Sequence, residues 1–243
     1  MATLDWRGTG ITVREPAVGV AAQIVLLAGL WIVVGLGPAA WVAGTTYAVI
    51  LSAILTYALL RSRARSLGPA GRVTLARAEL VGGVTALVTM FRMGKDAPVE
   101  LLVALAAVAL ILDAVDGHVA RRTGTVSALG ARFDMEVDAF LILVLSVFVA
   151  GTAGAWVLAI GLMRYAFAAA AWAAPWLRAP LPPSFARKTV AALQGIVLVV
   201  ASARVLPPTA VTTLVAAALA LLTWSFGRDV LWLYRNRTTP APA

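Results

Sequence analysis

The chain has 243 residues, 61% hydrophobic and only 13% charged, with a mean hydropathy of +0.92, whereas soluble domains hold about 45–50% apolar and about 25% charged residues. That balance excludes a soluble globular fold and makes the chain a polytopic, all-α membrane protein. The absence of cysteine excludes disulfides and thiolate metal sites, and the net charge of +9 reflects membrane topology rather than nucleic-acid binding, because of where the basic residues lie.

Apolar stretches fall in chain order at 17–37, 40–60, 73–91, 99–120, 131–150, 154–174, 189–204 and 209–232. A helix needs about twenty apolar residues to cross a bilayer, so the pattern predicts about eight spans. The first does not read as a signal peptide, since it follows a polar stretch with Asp5 and Glu15 and a second span comes almost at once. Arg7 and Arg14, the group Arg61, Arg63, Arg65 and Arg72, then Arg121, Arg122 and Arg132, Arg178, Arg187 and Lys188, and finally Arg235 and Arg237 occupy alternate connections. Both termini and these loops are therefore expected in the cytoplasm, in a multi-pass protein of the cell membrane. The stretch RSRARSLGPAGR at 61–72 reads as a basic linker. It separates a leading helix pair (1–71, with the linker) from a six-helix core (72–243).

The acidic residues carry most of the information. Of eleven, Glu79, Asp113, Asp116, Asp134, Glu136 and Asp138 lie in or beside predicted spans. An ionised side chain at a helix centre costs about 2.5–3.5 kcal/mol on insertion scales, so such residues are functional candidates. At about 100° per residue, Asp113, Asp116, Gly117 and Ala120 share an arc of about 100° at the end of the fourth helix, while Gly130, Asp134 and Asp138 span about 80° on the fifth. Two antiparallel helices joined by RRTGTVS would aim all four aspartates into one cleft. Glu136 lies about 200° from Asp134, and His118 about 140° from Asp113, so both are expected to point elsewhere.

A lone interfacial aspartate commonly just pairs with a neighbouring arginine, and Arg121, Arg122 and Arg132 are at hand. Four in one cleft would repel and partly protonate unless cations neutralise them. A set of oxygen ligands without histidine or cysteine favours hard ions such as Mg2+, Mn2+ or Ca2+ over zinc. Gly117 and Ala120 leave room for a ligand, and Arg121 adds a bidentate phosphate donor.

Residues 113–138 read DAVDGHVARRTGTVSALGARFDMEVD. This resembles the signature of the CDP-alcohol phosphotransferase family, D-x-x-D-G-x-x-A-R-x8-G-x3-D-x3-D, with Asp113, Asp116, Gly117, Ala120, Arg121, Gly130, Asp134 and Asp138 at its fixed positions. Upstream, Thr74 and Arg77 resemble the family's T-x-x-R, although Gly71 stands where asparagine is frequent. The resemblance implies six packed helices, usually in a homodimer, with an active site facing the cytoplasm. It implies two divalent ions (Mg2+ or Mn2+) on Asp113, Asp116, Asp134 and Asp138, with Asp138 as the base that deprotonates the acceptor. Gly117, Ala120, Arg121 and Gly130, with Thr74 and Arg77, would line the CDP part of the donor. The implied activity is transfer of a phosphatidyl (phosphoalcohol) group, from CDP-diacylglycerol as the expected donor, to a small alcohol or polyol in phospholipid biosynthesis, releasing CMP.

The acceptor is less legible. Ala139 follows the last aspartate, where phosphatidylglycerophosphate synthases and inositol-phosphate-transferring relatives often carry Lys or Arg. Arg164, deep in the sixth helix, needs an anionic partner, either a protein carboxylate or the acceptor. Arg187 and Lys188 serve topology or phosphate binding, and Gln194 and Asp229 have neighbours with which to pair. The alternatives to an enzyme are a divalent-cation transporter or a non-catalytic relative binding nucleotide or lipid. The apolar outer halves of the fourth and fifth helices and the complete aspartate set count against these.

Overall fold

The computed structural model describes residues 6–62, 67–123 and 127–237, without the side chains of 6–13, 116–123 and 128. Among them are eight α-helices and no strand. They are α1 (Trp6–Val34), α2 (Pro38–Ser62), α3 (Gly68–Arg92), α4 (Val99–Thr123), α5 (Ala128–Ala153), α6 (Leu158–Ala173), α7 (Phe185–Ser202) and α8 (Pro208–Arg235). Short 3-10 turns at Ala155–Val157 and Pro175–Arg178 flank α6. Among the described residues, six helices are long and apolar enough to cross a membrane: α1 from Arg14 onward, α2, α3, α6 with the turn before it, α7 and α8. The other two, α4 and α5, carry the signature aspartates at their adjoining ends. The protein is an integral membrane helix bundle.

Local chemistry explains the helix ends. Gly35, at φ +67°, takes the left-handed conformation that ends α1 and donates its N–H to Trp31 O at 2.9 Å, while Pro38 opens α2 in the first helical turn. At the start of α5, Ser127 Oγ accepts the N–H of Gly130 at 3.0 Å, an N-cap bond that satisfies one of the free donors of the first turn. α1 begins about ten residues before the apolar stretch that announces it. Its polar extension has partners: Glu15 accepts the backbone N–H of Leu67 at 2.7 Å and pairs with Arg72 at 3.0 Å.

The chain forms two compact units, Met1–Val144 and Leu145–Ala243. In the first, α3 is the centre and packs against α1, α2 and α4. Its apolar window is 67% buried, against 17–44% for the other five candidate spans. Small residues allow this close approach: a Cβ on Gly82 would collide with the Gln23 amide, and one on Gly44 would lie 2.7 Å from Leu27 Cδ2. Tyr47 of α2 stacks on Phe140 of α5 with centroids 5.0 Å apart. In the second unit α7 packs on α8, tied by Gln194, whose Nε2 donates to Ala218 O at 3.1 Å and Val190 O at 3.3 Å. Phe167 of α6 meets Phe226 of α8 edge to face. Large apolar side chains such as Val25, Ile32 and Trp172 stay exposed on the outer helix faces, as a bilayer permits.

Candidate functional site

The site is built around one buried cation. Arg77 lies two and a half turns into α3 with its side chain fully buried. Its Nη1 donates to Asp113 Oδ1 of α4 at 2.5 Å. Its Nη2 donates to Asp134 Oδ1 of α5, reaches Asp134 O at 3.3 Å and pairs with Asp138 Oδ1 at 3.1 Å. Two helices, α4 and α5, therefore deliver three carboxylates to one guanidinium carried by α3. A buried arginine is tolerated only with such partners, since stranding it away from water costs several kcal/mol.

The carboxylates are only partly covered, with side-chain exposures of 38% for Asp113, 32% for Asp134 and 35% for Asp138. Arg77 holds them from the protein side, and part of each carboxylate stays exposed. With all four groups ionised, three aspartates and one arginine leave a net charge of −2.

This cluster also suits a metal. One oxygen from each of Asp113, Asp134 and Asp138 lies within 4.8 Å of the others. Oxygens on one Mg2+ at about 2.0–2.1 Å are at most about 4.2 Å apart, so small side-chain adjustments bring the three onto one ion. The donor set is all oxygen, which fits a hard divalent cation.

The remaining expected site residues fall into three groups. Asp116, Gly117, Ala120 and Arg121 belong to the last turns of α4, and their side chains lie outside the described residues. Thr74, one turn before Arg77, is buried, and its Oγ1 donates to Ala70 O at 3.2 Å. Gly130 sits in the first turn of α5 with its N–H on Ser127, and a Cβ there would stand 3.0 Å from Ser127 Oγ. Glu136 is exposed, on a different face of α5 from Asp134 and Asp138.

The second unit holds the expected acceptor residues. Arg164 is half-buried on α6, and Lys188 is exposed on α7. Arg187 donates to Asp229 Oδ2 at 3.2 Å and to Pro182 O at 2.6 Å, and Arg228 shares the same aspartate at 3.4 Å. Asp229 thus offsets two cations, and Arg187 is held in an ion pair.

Sequence reasoning grouped Arg77 with the nucleotide contacts and did not anticipate it as the common partner of the aspartates. The signal was present: an arginine inside an apolar helix requires carboxylates, and only the signature helices carry several. The contact of Gln23 with Glu79 was also missed, because neither residue belongs to a recognisable motif.

The family model for CDP-alcohol phosphatidyltransferase matches residues 69–226, well over half of the chain. The chain belongs to this family. It is therefore a membrane phosphotransferase that moves a phosphoalcohol group from a CDP-alcohol, in a family of phospholipid biosynthesis known for dependence on divalent cations. The match begins at the second residue of α3, so α1 and α2 precede the part that the family model covers. No curated protein and no solved structure matches the chain.

Proposed function

We infer that this transferase uses CDP-diacylglycerol as donor and passes its phosphatidyl group to a small alcohol or polyol, with CMP as the other product. The observation that carries the reading is the convergence of Asp113, Asp134 and Asp138 on one partly exposed cluster at the junction of α4 and α5. In this reading Asp113, Asp116, Asp134 and Asp138 hold two Mg2+ or Mn2+ ions. When bound, these supply Lewis-acid neutralisation of the pyrophosphate and of charge developing on the leaving CMP.

The chain's own residues divide the remaining work. Thr74, Gly117, Ala120, Arg121 and Gly130 line the CDP moiety, the small residues giving it room and Arg121 binding phosphate. Arg77 holds the aspartate carboxylates in register from beneath. Asp138 accepts the proton of the acceptor hydroxyl, whose oxygen forms a bond to the phosphorus distal to cytidine while the bond from that phosphorus to the CMP oxygen breaks and CMP leaves with the electron pair. Arg164, with Arg187 and Lys188, is the candidate cation set for an anionic acceptor. Arg187 must be shared with or released from Asp229 to serve there. The family core of residues 72–243 acts as a homodimer facing the cytoplasm, preceded by the helix pair of 1–71.

The test is CMP release by purified protein given CDP-diacylglycerol, Mg2+ or Mn2+ and a panel of acceptors: glycerol 3-phosphate, inositol, inositol phosphate and serine. Acceptor-dependent CMP release supports the reading. Release only with a water-soluble CDP-alcohol in place of CDP-diacylglycerol would overturn the lipid donor.

A further inference from the structure

We propose that α1, which lies outside the family match, is a positioning clamp for the active site: it fixes the rotation of α3 and thereby holds Arg77 against the aspartates. The inference rests on the reading of that cluster as the catalytic centre.

Two polar contacts join α1 to α3, one at each end of a helical stretch. At the polar end, Glu15 accepts the N–H of Leu67, the residue before α3, at 2.7 Å and pairs with Arg72 in its second turn at 3.0 Å. Two turns deeper, Gln23 (fully buried) meets Glu79 (8% exposed). With its amide nitrogen turned toward Glu79, Gln23 donates to Glu79 Oε2 at 2.8 Å and to Glu79 O at 2.9 Å.

Two glycines make this approach possible. A Cβ on Gly19 of α1 would lie 2.9 Å from Glu79 Oε1, and one on Gly82 of α3 would collide with the Gln23 amide. The helix backbones therefore meet at the polar pair, where neither helix can turn without breaking a buried hydrogen bond. Hydrogen bonds buried in an apolar setting are directional, so they fix rotation where greasy packing alone would tolerate sliding.

The geometry of α3 transmits this constraint. Glu79 follows Arg77 by two residues, which sets them about 200° apart around the helix axis. One face of α3 is gripped by α1, and the opposite face presents Arg77 to α4 and α5. A rotation of α3 that relieved the loss of Gln23 would swing Arg77 away from Asp113, Asp134 and Asp138. Glu79 and Gln23 contact each other across the α1–α3 seam rather than the aspartates, so they are positioning residues.

The test uses the full chain in detergent, with CDP titrated calorimetrically in the presence of Mg2+, alongside the kinetics of transfer. Gln23→Leu should weaken CDP binding and raise the donor KM by about tenfold, within the hundredfold that a misplacement of about 1 Å can cost. Glu79→Gln keeps an acceptor oxygen for the same bond and should stay within about twofold of wild type. Glu15→Ala, at the polar end of the seam where Glu15 is 16% and its partner Arg72 66% exposed, should weaken CDP binding in the same sense. Gln23→Leu and Glu15→Ala proteins that melt lower but bind CDP with wild-type affinity would overturn the clamp and leave α1 a purely structural helix. A different failure marks the site itself: wild-type protein that binds no CDP with Mg2+, and is indifferent to Asp134→Asn, would overturn the catalytic reading on which the clamp rests.

Discussion

Replacing Arg77 with methionine isolates the electrostatics of the site. The substitution keeps an unbranched side chain of similar reach but removes the cation between Asp113, Asp134 and Asp138. Removing one partner of a buried ion pair costs about 3–5 kcal/mol, because the other charge is left stranded. Here the three carboxylates are 38%, 32% and 35% exposed, and solvent screens part of their repulsion. The expected loss is therefore about 2–3 kcal/mol, below or at the bottom of the buried-pair range.

The same change should strengthen the response to metal. Without Arg77 the described groups carry −3 instead of −2. A unit charge about 5 Å from a divalent ion, at an effective dielectric constant of about 20, alters its energy by several kcal/mol before relaxation. Metal at about one hundred times its Kd adds about 2.7 kcal/mol of stability, so Mg2+ should restore most of what the mutation removes. Thermal unfolding followed by the fluorescence of the eight tryptophans, in EDTA and across a Mg2+ titration, reads both effects. Arg77→Met should melt well below wild type in EDTA and show the larger Mg2+-induced rise. An unchanged melting temperature in EDTA, or a smaller rise with Mg2+, would refute the role of Arg77 as counter-ion of the cluster.

Further outcomes follow from the same geometry. Asp138→Asn, whose amide oxygen can still ligate a hard cation but cannot take the hydroxyl proton, should bind CDP with metal nearly as wild type does yet lose about 10²–10⁴-fold in turnover, the usual scale for a missing general base. Glu136→Gln, on another face of α5, should keep near-normal activity; the reverse pattern in a CMP-release assay would demand a different base. Because the cluster offers only oxygen ligands, activity should vanish in EDTA and return with Mg2+ or Mn2+, and full turnover in metal-free buffer would remove the metal from the mechanism. Arg164→Gln should raise the acceptor KM more than the donor KM. An unchanged acceptor KM at normal expression would assign Arg164 to pairing within the protein.

Much of this protein is legible along the chain. Eight apolar stretches predicted eight helices, because length and hydropathy are local properties and a bilayer demands a minimum of both. The aspartate signature was equally legible, since its spacing is set within two consecutive helices, and Asp134 and Asp138 do face the same cation while Glu136 does not. What the tertiary structure alone decided is the partner of those acids. Arg77 stands 36 residues before Asp113 and 57 before Asp134, and whether it meets them depends on how α3 is rotated between its neighbours. That rotation is set in turn by Gln23 and Glu79, two side chains in no motif and on different helices. Hydropathy counts such residues only as interruptions of an apolar run. Their hydrogen bond exists only once α1 and α3 lie close enough for glycine to be the one residue that fits between them.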